Sequence, residues 1–249
     1  VSATDFVKNW ISTSATQFEI VHVPKDLVPP RSELSISTPQ AVGEDLTFVG
    51  RDVAFGVVSV DDLAVPGDGI GLGVASQEVL IDGALILSSS NTSPAPGQAF
   101  SSSFSLAGYA DGRYVLNFAA KDTLGHREAV RIATVAVDAT APITRLEVIG
   151  SSMTDVLGRT ILSSGSTLAI LAEDSLSGEV ASGMRELRLT TDGQGSVVSG
   201  SSTSISLTDG RHLIEYSAID RVENAEAPRS MEVFADSQGP AFRAAELAP

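Results

Sequence analysis

A segment of this chain recurs within it. Residues 211–224, RHLIEYSAIDRVEN, match residues 113–126, RYVLNFAAKDTLGH, and the opening VSATDFVKN matches the ends of both. Asp5, Asp122 and Asp220 coincide, each followed four residues later by Asn9, His126 or Asn224. A second landmark follows each of these. Asp26–Pro30, Asp138–Pro142 and Asp236–Pro240 all read D-x-x-x-P, with spacings of 112 and 98 residues between the aspartates. Between the landmarks, Asp62 pairs with Asp174, Gly73 with Gly183, Asp82-Gly83 with Asp192-Gly193, and Asp111-Gly112-Arg113 with Asp209-Gly210-Arg211. A repeat of about 100 residues restricts the chain to small units, each burying a core of its own.

The repeat divides the sequence into the closing strands of one unit (1–25), two whole units (26–137 and 138–235) and the opening of another (236–249). Both ends then fall inside units, the pattern expected of a segment of a longer tandem array. The D-x-x-x-P element sits at each joint. Proline restricts φ and pushes the residue before it to an extended conformation, so the joint is expected to be short and stiff.

Within 138–235, period-2 alternation marks half-buried strands at Thr144–Ile149, Thr167–Glu173, Arg185–Thr191, Thr203–Leu207, Arg211–Ile219 and Arg229–Ala235. Asp192-Gly193 and Asp209-Gly210 supply the turns between them. No segment sustains a helical period; Asp5–Ile11 allows one turn at most. Six or seven short strands per unit predict an all-β chain of antiparallel sandwiches. The first unit carries longer loops at Asp61–Gly73 and at the Ser/Pro-rich Ser88–Gln98, which is expected to run over the surface.

These residues resemble the bacterial immunoglobulin-like repeats of large secreted and cell-surface proteins. The resemblance lies in Ala3-Thr4-Asp5 with Asn9, in Val137-Asp138-Ala139-Thr140-Ala141-Pro142, and in Asp174-Ser175-Leu176-Ser177-Gly178 with Gly183. It covers nearly the whole chain and implies tandem immunoglobulin-like antiparallel β-sandwiches. The sequence departs from the family at His126, where Asn is usual, at Glu223, where Gly is favoured, and at the loosely matching Asp26-Leu27-Val28-Pro29-Pro30.

Charge and composition narrow the function classes. There are 16 Lys and Arg against 31 Asp and Glu, a formal net charge of −15. Such a surface repels phosphate backbones and anionic lipid heads, so neither nucleic acid nor membrane insertion is expected. The absence of cysteine removes disulfides, thiol chemistry and cysteine metal sites. No nucleophile elbow, zinc-protease motif or phosphate-cradling loop is present, and Gly69-Ile70-Gly71-Leu72-Gly73 leads into no helix. No enzyme activity is expected. Aromatic residues are only 5%, so a sugar-stacking face has little to draw on: Trp10, Tyr109, and Tyr114 and Tyr216, which fall on strands.

Two roles remain for the landmark residues. Asp5, Asp122 and Asp220, with Asn9, His126 and Asn224, are expected to lock turns, the carboxylate accepting backbone N–H bonds. Asp61, Asp62 and Asp68 in one loop, Glu173, Asp174 and Glu179 in its counterpart, and Asp26 and Asp138 at the joints are candidate calcium ligands, since hard cations want several oxygens. The alternative for these acids is a solvated face that keeps the chain soluble. No cofactor is required, and calcium is the candidate ion. The expected function is a stalk or spacer of an extracellular or cell-surface bacterial protein such as an adhesin, with neighbouring repeats of the same chain as its partners. The alternatives are a module binding a protein or glycan ligand through the enlarged loops, and an accessory region of a secreted hydrolase.

Overall fold

Alternating apolar residues build two pairs of facing sheets, one pair in each half of the chain. A computed structural model describes residues 2–4, 10–12, 26–43, 46–61 and 71–239. Asp5, Asn9, Asp62 and Asp68 lie outside these residues. At the N-terminal end, β1 (Ser2–Thr4) pairs antiparallel with β2 (Trp10–Ser12), so Trp10 and Ile11 are in a strand rather than a helical turn.

In the first half, β3 (Arg31–Ile36), β6 (Ala54–Val60) and β9 (Phe100–Ser105) form a three-stranded sheet in the order β3-β6-β9. The facing sheet has six strands: β4 (Gln40–Val42), β5 (Thr47–Val49), β7 (Val74–Ile81), β8 (Ala84–Ser90), β10 (Gly112–Asp122) and β11 (Arg131–Val137). Its order is β4-β5-β11-β10-β7-β8, with β5 parallel to β11 and the other neighbours antiparallel.

The second half repeats this arrangement. β12 (Ile143–Ile149), β15 (Thr167–Glu173) and β18 (Ser202–Ile205) make the three-stranded sheet. The other sheet contains β13 (Ser152–Thr154), β14 (Thr160–Ser163), β16 (Met184–Thr191), β17 (Gln194–Ser199), β19 (Gly210–Asp220) and β20 (Arg229–Asp236). The order is β13-β14-β20-β19-β16-β17, again with one parallel pair, β14 and β20. In the first half the chain crosses from sheet to sheet between β3 and β4, β5 and β6, β6 and β7, β8 and β9, and β9 and β10, the Greek-key path of an immunoglobulin-like sandwich.

Each half has its own core. Val49, Phe55, Leu116 and Val135 are fully buried in the first, where Phe55 stacks on Phe104 with centroids 5.0 Å apart. Leu168, Ile170, Leu187 and Ile214 fill the second. Strand β15 shows why: it alternates half-buried and buried residues, so Leu168 and Ile170 point inward together. Each unit has nine strands among the described residues rather than the six or seven expected. In each unit two of the extra strands form a short hairpin, β4–β5 in the first and β13–β14 in the second, too brief for a period-2 pattern to register. The Ser/Pro-rich excursion also begins later than expected, because Ser88–Ser90 belong to β8. No helix among the described residues is long and apolar enough to cross a membrane.

Candidate functional site

A β-bulge near one end of each sandwich prepares the site. The register between β10 and β7 slips between Lys121 and Asp122, and that between β16 and β19 slips between Met184 and Glu186. A bulge re-aims the side chains beside it, here those of Asp122 and Asp220. Both carboxylates accept backbone hydrogen bonds from the turn that follows them. Asp122 Oδ1 accepts from the backbone N–H of Leu124 and His126, each at 2.8 Å. Asp220 Oδ1 accepts from Val222 at 2.9 Å and Asn224 at 2.8 Å.

The same aspartates are also members of carboxylate clusters, a role that the turn motif did not announce. Oxygens from Asp138, Asp174 and Asp220 lie within 4.8 Å of one another, as do oxygens from Asp26 and Asp122 with a ring nitrogen of His126. Asp61 stands beside the group of Asp26, Asp122 and His126, the cluster of the first unit, close enough for the charges of Asp26 and Asp122 to act on it, and the group of Asp138, Asp174 and Asp220 is the second cluster. Asp26, Asp61, Asp122, Asp138 and Asp220 are all at most 1% exposed. None of the six aspartates pairs with a Lys or Arg among the described residues.

The sequence pairing of Asp62 with Asp174 is off by one residue. Asp61 Oδ2 accepts from Leu72 at 2.9 Å and Gly73 at 2.8 Å, and Asp174 Oδ2 accepts from Gly183 at 2.6 Å, so Asp61 is the counterpart of Asp174. Glu173 and Glu179 do not join the second cluster. Successive residues of an extended chain point to opposite sides, so Glu173 turns to solvent where Asp174 turns in. Glu179 is exposed on a tight turn with φ of 65°.

Packing carboxylates together out of water has an electrostatic cost. Burial, followed by the charges of Asp138, Asp220 and Asp111, pushes the Asp174 carboxyl up to about 6, against relief from the Gly183 N–H. Burial likewise raises Asp61 and Asp220 above the usual carboxylate range. Among the described residues, three buried carboxylate oxygens accept no hydrogen bond: Oδ2 of Asp26, Oδ1 of Asp61 and Oδ1 of Asp174. Buried polar atoms are ordinarily satisfied. Oxygens left free in a cluster of like charges form the donor set that a divalent cation would complete.

The second cluster lies at the joint between the units, and its linker residue is held from both sides. Asp138 N donates to Val49 O of the first unit at 3.0 Å. From the second unit, Ser182 N donates to Asp138 Oδ2 at 2.7 Å and Asn224 Nδ2 to Asp138 O at 3.0 Å. Asp111 of the first unit accepts from Ala139 N at 2.9 Å and from the Thr140 hydroxyl. Burial opposes its charge, yet hydrogen bonds from Thr140, Ser177 and Ala139 hold its carboxyl below the usual range.

A repeated glutamate, unremarked in the sequence landmarks, ties each sandwich together nearby. Glu226 accepts from Thr144 N at 3.0 Å and Thr144 Oγ1 at 2.7 Å, and pairs with Arg229 at 2.9 Å. Glu128 does the same for Ser32 N at 3.1 Å, the Ser32 hydroxyl and Ala120 N at 2.8 Å, and pairs with Arg131 at 3.2 Å. The signal is present in the sequence as Glu-x-x-Arg, starting six residues after Asp122 and Asp220.

No family model matches the sequence, and no curated protein matches it. Among solved structures, the chain is similar to fibronectin(III)-like modules of Clostridium thermocellum CbhA, with 19% identity over 85% of this chain and 100% of that one, at a TM-score of 0.41. It is similar to the FN1–FN3 domains of chicken CNTN1 at 13% identity, 94% and 73% coverage and a TM-score of 0.39. A tetra-tandem repeat from the extending region of a large adhesion protein shares 18% identity over 95% and 55% of the two chains, at a TM-score of 0.26. The strand order decides the architecture. The chain is a tandem of immunoglobulin-like β-sandwiches.

Proposed function

We propose that this chain is a non-catalytic stalk segment of a secreted or surface-exposed bacterial protein. Residues 26–137 and 138–235 act as successive repeats whose joints are tied by divalent cations. The observation that carries this reading is the treatment of Asp138. One linker residue is bonded to both units while its carboxylate enters a buried cluster that holds an orphaned oxygen. A joint built this way transmits force and direction from one sandwich to the next. A cation there would relieve the carboxylate repulsion and lock the joint further, with calcium the natural occupant of an all-oxygen set.

The enlarged loop of the first unit supports the structural reading over a ligand-binding one. Asn91 Nδ2 donates to Val74 O at 2.9 Å, and Gly97 N donates to Asp61 O at 3.1 Å. The loop is thus fastened back over the first cluster.

The test is thermal unfolding in millimolar calcium and in excess chelator, with small-angle scattering in both conditions. Calcium is expected to raise the midpoint by several degrees, because a ligand of the native state shifts the unfolding equilibrium, and to narrow the distribution of lengths. Superimposable unfolding curves and scattering would refute the cation-tied joint and leave only a plain spacer.

A further inference from the structure

The two clusters differ at one ligand position. In the second unit Asn224 Nδ2 donates to Asp220 Oδ2 at 2.6 Å, and in the first unit His126 Nδ1 takes the same place, 2.7 Å from Asp122 Oδ2. An amide nitrogen has no lone pair to give a metal, so Asn224 contributes a donor or, turned over, one more oxygen. A neutral imidazole nitrogen is a metal ligand in its own right. The His126 nitrogen lies within 4.8 Å of oxygens from Asp26 and Asp122.

A second, independent observation points to a ligand at this place. Asp26 Oδ2 and Asp61 Oδ1 accept no hydrogen bond, although each residue is only 1% exposed. The counterpart of Asp26 is satisfied, since Asp138 Oδ2 accepts from Ser182. In the first unit both loop N–H groups go to Asp61 instead. The first cluster therefore holds two orphaned carboxylate oxygens against one in the second, and Asp26 is grouped there with a ring nitrogen.

We propose that the first cluster is a site for a borderline divalent transition metal of the zinc class, held by His126, Asp26 and Asp122 with Asp61 beside them. The second cluster, all oxygen, takes a hard cation. This inference rests on the reading of the clusters as cation sites and adds that the two are not equivalent. Imidazole favours zinc and its neighbours, whereas calcium seeks six to eight oxygens and gains little from nitrogen. Zinc is satisfied by four ligands of mixed nitrogen and oxygen; three are gathered here within 4.8 Å of one another, and the neighbouring Asp61 carboxylate is the candidate fourth. The neutral ring binds through Nδ1 with its hydrogen on Nε2. The His126 side chain is 33% exposed, which leaves the metal a route in from solvent.

The test uses the full chain stripped of metal, titrated separately with Zn2+ and Ca2+ by calorimetry, with Co2+ absorption reporting nitrogen ligation. One Zn2+ per chain is expected to bind at least about tenfold more tightly than Ca2+. His126→Asn is expected to lose at least about tenfold in Zn2+ affinity while keeping Ca2+ binding, since even a partner outside the ligand sphere is worth about 10–100-fold. The reciprocal Asn224→His, which decides the matter if His126→Asn fails to fold, is expected to create a second Zn2+ site. Zn2+ binding unchanged by His126→Asn in a folded chain overturns the proposal. Ca2+ binding at both clusters with Zn2+ no tighter overturns it too, while leaving the cation-site reading intact. Binding of neither metal overturns both.

Discussion

Equivalent positions in the two units use different side chains for the same bond. Tyr114 donates its hydroxyl to Ala110 O at 2.8 Å, a corner bond from the start of β10. Eight residues before Asp220, His212 takes this place, with Nε2 2.8 Å from Thr208 O and Nδ1 2.6 Å from Asp192 Oδ2. Both contacts are donated only by the imidazolium, and the Asp192 hydrogen bond raises the His212 pKa above its ordinary value. The stabilisation is therefore fully present below the unfolded-state pKa, about 6.5, and is lost as pH rises through the higher folded value. Urea midpoints compared from about pH 5.5 to 8.5 are expected to fall more for the native chain than for His212→Tyr, which restores a corner that does not titrate there. Glu226 invites a second substitution. Removing it strands the Thr144 N–H and hydroxyl, and Thr144 is fully buried. Glu226→Ala is expected to lose about 2 kcal/mol in chemical denaturation of the second unit.

The strands and turns that meet at the joint owe their approach to glycine. Gly178 has φ of 56°, and a Cβ there would stand 1.9 Å from Asp111 O. Gly50 brings the end of β5 against Val222, where a Cβ would lie 3.1 Å from Val222 O. Neither contact involves a residue of the two main core clusters, so the joint can be disturbed without emptying a sandwich. Gly178→Ala is expected to push the turn at 177–180 off Asp111 while leaving both β-sheets intact. Scattering would show a broader range of shapes, and the far-ultraviolet circular dichroism would be unchanged. A circular dichroism spectrum showing a lost sheet would mean that the turn supports the second sandwich itself.

Across the molecule, a net charge of −15 surrounds two internal groups of buried carboxylates. Without a cation, the native state holds protons that the unfolded chain releases. With Asp174 pushed up to about 6 and Asp61 and Asp220 also raised, this contribution is fully present below about pH 3.9 and is lost as pH rises through about 6. In chelator, Asp174→Asn is expected to flatten the decline in stability between about pH 4 and 7. In calcium, the same variant is expected to lose part of the cation-dependent rise in melting temperature, which differential scanning calorimetry at the two pH values would measure.

Much of the fold is legible in the residues. Alternation in Thr167–Glu173 marks that strand to its ends, and Asp-Gly pairs place the turns, because side-chain period and positive φ are local properties. The repeat itself set out the tandem plan and the landmark aspartates. The grouping of those aspartates was not legible, since Asp138, Asp174 and Asp220 are separated by 36 and 46 residues and converge only where a bulge, a loop and a linker meet. Nor could a motif choose Asp61 over Asp62, a choice that rests on which carboxylate receives the Gly73 N–H. The amino-acid sequence by itself determined an all-β tandem with acidic joints, because strand and turn preferences act between neighbours. Only the tertiary structure decided which acids share one buried, solvent-excluded space, because that depends on distances the chain closes last.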